Sequence, residues 1–206
     1  MERAAVRCKA AVLVVATLFA AACSQGSDQA EQHTTVPTAP ALTTTTNPYA
    51  VPDVIDVAYV NRVLAGLDAA VGDVVRIVVA AGYVTPEALD RLKALYARDA
   101  FPQRVNSFTA DSANGFADYK RKPGNSRTTV DELITARPTC IFTRVFRDFS
   151  TVGANPDPQL SDQYVGLEPL DPARDPNGYN PTGWMMIYDG FVKSRSRPPD
   201  PCASAS

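Results

Sequence analysis

The side chains that we single out for acid–base chemistry, Asp148, Tyr164 and Tyr188, lie in the second half of the chain. His33 is the only histidine among the 206 residues, and it lies in a polar, Thr-rich segment. The remainder of the chain therefore lacks Ser-His-Asp and Cys-His arrangements and any His-ligated metal. Asp148 lies near Arg144 and Arg147 on a predicted strand. A buried acid beside a phenol could transfer protons, whereas a surface ion pair of Asp148 with an arginine is the simpler interpretation.

Residues 1–22 have the pattern of a secretory signal peptide. Basic residues precede an apolar run over 10–22 that ends in small residues. The run is shorter than the about 20 residues that a membrane-spanning helix needs. Cys23 follows directly, and this arrangement resembles a bacterial lipoprotein signal, in which the thiol is acylated and the chain is cut just before it. Lipidation of Cys23 would hold the protein on the cell membrane, facing the periplasm or the exterior of the envelope. The alternative is an ordinary secreted protein with Cys23 as a leftover thiol.

The cysteines also predict a covalent link within the domain. Of the four cysteines, Cys8 leaves with the signal and Cys23 carries the lipid, so Cys140 and Cys202 remain in an oxidising compartment. Two cysteines permit one disulfide, which would close a loop of about 60 residues and contribute about 4 kcal/mol. The alternative is a pair of free or buried thiols. Two cysteines alone do not complete a tetrahedral zinc site, and we predict no metal or other cofactor.

The composition divides the mature chain into three parts. Residues 23–48 carry the modified cysteine and a Thr/Pro-rich stretch without apolar periodicity, which predicts a flexible tether. Residues 49–196 predict a single globular domain, and 197–206 an irregular tail that Cys202 would attach to it. The formal net charge of the chain is −2, and removal of the basic signal makes it more negative. This balance gives no reason to expect a nucleic-acid partner.

Three helices are predicted in the first half of the domain. Apolar residues recur at three- and four-residue steps over 54–81, which predicts one long helix or two that kink at a glycine. Asp53 or Asp56 would cap its start. Thr85 precedes a proline and a glutamate, the pattern of a second helix start. A short third helix is predicted over 103–113.

The second half of the domain has the composition of strands. Residues 129–136 have an acid-capped start and are predicted to form another short helix. From there on, aromatic and β-branched residues predict strands over 140–149, 163–168 and 184–189, separated by loops rich in Pro, Asp, Asn and Gly. Helices first and strands afterwards predict an α+β fold with an antiparallel sheet.

This order of elements resembles the NTF2-like, cystatin-like cone, in which N-terminal helices pack on a later curved antiparallel sheet. The resemblance implies a pocket between sheet and helices, and enzymes of this type use an Asp-His pair or an Asp with a Tyr. The side chains expected to line the pocket are Phe142, Phe146, Asp148, Tyr164, Trp184, Met186 and Tyr188. The anchor, the Thr/Pro-rich tether and the Ala/Val/Arg/Asp-rich composition also resemble lipoproteins of actinobacteria.

The sequence leaves two functions open. The first is a membrane-anchored envelope lipoprotein with a non-catalytic domain that binds a protein partner or an apolar small molecule. A large apolar cavity would favour the small molecule, with a lining of Phe142, Phe146, Met185 or Met186. A filled core would favour the protein partner. The second is a small NTF2-like isomerase, dehydratase or hydrolase that uses a pocket Asp with a Tyr. No serine lies in a Gly-x-Ser-x-Gly elbow, and the first function assigns no catalytic residue.

Overall fold

The computed structural model describes residues 47–155, 160–192 and 197–203. The predicted signal peptide, the predicted lipidation site Cys23 and the predicted tether up to residue 46 lie outside the described residues. Residues 44–206 form one compact unit. Among the described residues, no helix combines the length and the apolar character that crossing a bilayer requires.

The described part of the domain begins with three helices: α1 (Val57–Ala81), α2 (Pro86–Leu95) and α3 (Ala100–Ala113). The predicted caps are confirmed, since the Asp56 side chain accepts a hydrogen bond from the N–H of Tyr59 and the Thr85 side chain accepts one from Ala88. The apolar pattern over 54–81, which left one helix or two open, belongs to a single helix, α1. Its Gly66 lies where two other segments approach closely, because a Cβ there would come within 2.6 Å of the Thr182 side chain.

The strands form one antiparallel sheet in the order β1-β2-β3-β4. They are β1 (Arg127–Arg137), β2 (Cys140–Asp148), β3 (Leu160–Pro169) and β4 (Trp184–Phe191). A short 3-10 helix, Pro172–Arg174, interrupts the connection between β3 and β4. The fold is therefore α+β, with helices before an antiparallel sheet, as the sequence predicts.

The helix predicted over 129–136 is wrong, because these residues belong to β1. The pairing of β1 with β2 shifts register twice, between Val130 and Glu132 and between Leu133 and Thr135. Each shift inserts a residue that has no partner and interrupts the alternation of inward and outward side chains. Val130 and Leu133 consequently both pack against the main core, at a three-residue spacing that a helix would also produce.

Apolar side chains cover both faces of the sheet. The main core lies between the three helices and the helix-facing side, and it includes Trp184, whose indole N–H donates to the Tyr59 hydroxyl over 2.8 Å. A smaller cluster lies on the opposite side, which we call the outer face, and it contains Phe142 and Tyr164. The C-terminal tail covers this cluster. The sheet is thus buried on both faces near its middle.

The predicted disulfide between Cys140 and Cys202 is confirmed. It links the start of β2 to the tail across a separation of 62 residues. The tail lies directly against the sheet at Gly166, where a Cβ would come within 2.8 Å of the Pro201 ring. A glycine is therefore required in the middle of β3 for the tail to reach this position.

Candidate functional site

A network of buried charges joins the sheet to the helices. The side chains of Arg147 on β2 and Asp189 on β4 are each 6 % exposed, and Arg147 Nη1 donates to Asp189 Oδ1 over 2.9 Å. The second carboxylate oxygen of Asp189 accepts a hydrogen bond from Arg104 on α3. Asp189 therefore ties strands β2 and β4 to the last helix.

The other end of this network reaches α1. The Arg147 Nε atom donates to the Thr128 hydroxyl over 2.9 Å and lies 4.0 Å from Asp68 Oδ1. Asp68 itself accepts hydrogen bonds from the backbone N–H and the hydroxyl of Thr128 and from the hydroxyl of Ser126. Acids and arginines thus alternate across the interior, in the order Asp68, Arg147, Asp189 and Arg104.

The environment sets the proton affinity of these groups in opposite directions. Burial alone would raise the pKa of Asp189, but Arg147 and Arg104 together hold this pKa below its ordinary value of 3.8. Burial raises the pKa of Asp68 above 3.8, because its more distant arginine and its hydrogen bonds offset the burial only in part. Tyr96, next to the network, has its pKa raised by burial to about 12. Asp189 is therefore a fixed anion and Tyr96 a fixed neutral phenol at neutral pH.

A groove of about 470 Å³ opens at the edge of the sheet beside this network. We call it the β4 groove. One wall is α3, the other is the tail at 197–199, and the floor is the end of β4. Its lining includes Tyr96, Gln103, Arg104, Asp189, Phe191 and Arg197. The volume is that of an ordinary ligand site, and polar or charged side chains share the lining with apolar ones such as Phe191 and Val192.

The structure does not bring the seven expected pocket residues together. Trp184 and Met186 lie in the main core on the helix-facing side. Phe142, Tyr164 and Tyr188 lie on the outer face, where the ring of Phe142 stacks on that of Tyr164 at 5.6 Å between centroids. Of the seven, the groove is lined only by Tyr164 and Tyr188.

The remaining two expected residues lie near the end of β2. The Phe146 side chain is exposed. Asp148 accepts a hydrogen bond from the N–H of Ser150 over 2.8 Å, and this bond lowers its pKa below 3.8. Asp148 thus acts as a local cap of the turn that follows β2, and the acid at the groove is Asp189.

Sequence reasoning considered Arg147 only as a surface partner of Asp148, and it gave no role to Asp68, Arg104 or Asp189. A signal existed for Arg147, which follows Ile141, Thr143 and Val145 at two-residue steps on the buried side of β2. A charged residue at such a position requires a buried partner of opposite charge. The sequence does not say which acid supplies it.

The described residues contain no group of three or more His, Cys, Asp or Glu side chains that could hold a metal ion. The fold and the site define a two-layer α+β domain with a polar groove at one edge of its sheet. Neither family models, nor curated proteins, nor solved structures gave a match to the chain. Function is therefore inferred from the site itself.

Proposed function

We propose that this protein is a lipid-anchored lipoprotein of the cell envelope whose domain binds a protein partner and has no catalytic activity. The observation that carries this proposal is the filled core. Phe142 is fully buried, and Met185 and Met186 are each 2 % exposed. An apolar small molecule would need space among these side chains, and they are in contact with one another or with their neighbours in the two clusters.

The chemistry of the groove supports a protein partner over an apolar ligand. Small-molecule sites are mostly apolar, with a few polar groups. The β4 groove instead presents Gln103, Arg104, Ser107 and Arg197 along its walls. Such polar and charged walls suit the hydrogen-bonding groups of a polypeptide.

The enzyme alternative receives less support from the same groove. Asp189 and the tyrosines Tyr96 and Tyr188 do line it together, as an Asp–Tyr mechanism would require. A proton-transferring group needs a pKa near the working pH. Asp189 is instead held charged by two arginines, and the pKa of Tyr96 is raised to about 12. The arrangement favours a structural role for both groups.

We also propose that the domain is an NTF2-like cone. The supporting observation is that α1, α2 and α3 precede the sheet in the chain and cover only one of its faces, with the main core between the two layers. An experimental structure that superposes on the cone over all seven elements would test this assignment.

Replacing Cys23 with alanine is expected to move the protein from the membrane fraction to the soluble fraction. The physical reason is that acyl chains on this thiol supply the membrane affinity. Cell fractionation with labelling by a fatty-acid analogue measures both consequences. Cys8→Ala is the matched control, since it changes a cysteine of the predicted signal and should leave the protein labelled. A Cys23→Ala protein that stays in the membrane pellet would contradict the anchor.

A protein partner should be captured by a photo-crosslinking amino acid placed on the surface of the domain. The exposed residues Gln103, in the β4 groove, and Tyr83, just after α1, sample two separate regions. Irradiation of intact cells that express the full chain, followed by mass spectrometry, should show an adduct with one defined protein. Absence of any protein adduct at both positions would refute the binding function.

A further inference from the structure

At Met186 the outer edge of β4 pairs with the segment that follows α2, and this pairing does not continue along the strand. Tyr96 forms an isolated parallel bridge with Met186, and the N–H of Ala97 donates to the Met186 carbonyl over 2.9 Å. Arg98 then adopts a left-handed backbone with φ of 49°. This conformation is uncommon for a residue other than glycine, and it turns the chain away from the edge and into α3. The edge beyond Met186 is therefore left without this partner.

The backbone groups farther along β4 point into the groove. The N–H of Val192 donates to the Asp162 carbonyl over 3.0 Å, so the backbone of Val192 faces β3. Along an antiparallel strand, every second residue directs its N–H and C=O toward the same neighbour. Asp189 and Phe191, which are out of step with Val192, therefore direct their N–H and C=O groups away from β3. No backbone group of residues 47–155, 160–192 or 197–203 pairs with these outward groups. Within the described part of the chain, the edge therefore offers two residues of strand whose outward backbone groups have no backbone partner.

Two arginines and one acid line the groove, so its lining carries one more positive than negative charge. The acid, Asp189, binds both Arg104 and the buried Arg147, and Arg197 pairs with Glu132 of β1. The Arg197 side chain is 46 % exposed. An acidic strand laid along the edge would lie between these two arginines, with its backbone against Asp189 and Phe191.

We propose that the outer edge of β4 at Asp189 and Phe191 binds an extended, acidic segment of the partner protein, which adds to the sheet as a further strand. This step rests on the proposed protein-binding function and names what the partner presents. Pairing with β4 of a second copy is disfavoured, because it would bring Arg104 and Arg197 of both copies together. The charge of the groove thus selects an acidic partner over a second copy of this chain.

The test is a selection of displayed random peptides of about ten residues, long enough for one strand, on the full chain. We expect peptides that combine Asp or Glu with β-branched residues. Phe191→Pro removes the outward N–H, and a proline is tolerated there because the lost N–H faces away from the sheet. This variant should weaken the selected peptides by about ten-fold, the effect of one hydrogen bond.

Phe191→Val is the matched control, because it keeps the N–H and a high strand propensity. It should retain the affinity of the wild-type chain within about three-fold. Arg197→Glu is a second variant, and it should weaken the acidic peptides by about ten-fold through charge reversal. Its ion pair with Glu132 is about half exposed on both sides, so folding should be little affected.

Three results would overturn the inference. The first is that the selection enriches no peptides. The second is that the selected peptides bind Phe191→Pro and Phe191→Val with equal affinity. The third is that sedimentation shows a dimer of the wild-type chain that Phe191→Pro abolishes. The crosslinking experiment separates this failure from failure of the proposed function. Adducts at Tyr83 without adducts at Gln103 would keep the protein-binding function and refute the edge of β4 as its site.

Discussion

Replacing Asp189 with asparagine is expected to lower the free energy of unfolding by about 3–5 kcal/mol, the cost of removing one partner from a buried ion pair. Arg147 has a side chain only 6 % exposed, so its charge would stay buried without its closest acid. Arg104 would lose the same partner. Asp68 cannot replace it, because its carboxylate is 4.0 Å from the Arg147 Nε atom. Denaturant unfolding of the full chain, followed by circular dichroism, measures the change.

Asp90→Asn is the matched control, because it removes an acid from an ion pair on the surface. The side chains of Asp90 and Lys93 are 53 % and 47 % exposed, and such pairs contribute at most about 1 kcal/mol. A double change, Asp189→Leu with Arg147→Met, should recover part of the lost stability because it removes both charges of the closest buried pair. If Asp189→Asn unfolds with the same midpoint as Asp90→Asn, the network does not stabilise the fold.

The pH dependence gives the Asp189 prediction a second readout. The folded-state pKa of Asp189 is below its ordinary value of 3.8, so the contribution of its charge is present above 3.8 and is lost as the pH falls through the folded-state value. The difference in stability between the wild-type chain and Asp189→Asn should therefore be constant at neutral pH and shrink in acid. Asp68 acts in the opposite direction, because its folded-state pKa is raised.

The helices could be predicted because their signals are local. Asp56 and Thr85 cap helices through side-chain contacts only three residues along the chain, and Gly82 ends α1 in a left-handed conformation. The disulfide was predicted from the expected oxidising compartment and from the number of cysteines, neither of which requires knowledge of the fold. Local hydrogen bonding and covalent pairing are therefore readable without tertiary structure.

Strand β1 could not be identified in the same way, because its face pattern depends on its neighbour. Its two register shifts are defined only relative to β2. They place Val130 and Leu133 on one face at a spacing of three, so the sequence alone matches a helix better than a strand. Tertiary pairing here overrides the local pattern.

The site was hidden by a third register shift, in β4. Strict alternation from Trp184 would place Met186 and Tyr188 on one face and Asp189 on the other. The pairing with β3 shifts between Gly166 and Leu167, and the inserted residue turns Tyr188 to the outer face and Asp189 to the helices. The shift therefore brings Asp189 to Arg104 and Arg147, where it forms the buried ion pair.

Breaking the disulfide is the second change with a large expected effect. Cys140→Ala, Cys202→Ala and the double variant should each lower the free energy of unfolding by about 4 kcal/mol, because each frees a loop of 62 residues in the unfolded chain. The three variants should agree closely, since each removes the same cross-link. Denaturant unfolding with and without reductant measures the effect, and reductant should lower the wild-type midpoint while leaving the variants unchanged.

The same cross-link also positions one wall of the β4 groove. Cys202 holds the tail against the outer face, and Arg197 to Pro199 of that tail line the groove. A variant without the disulfide that still folds, studied well below its unfolding midpoint, should therefore bind the selected acidic peptides more weakly than the wild-type chain. Equal binding would mean that the packing of Pro201 on Gly166 holds the tail in place without the covalent link. Stability and recognition would then depend on different contacts of the same short segment.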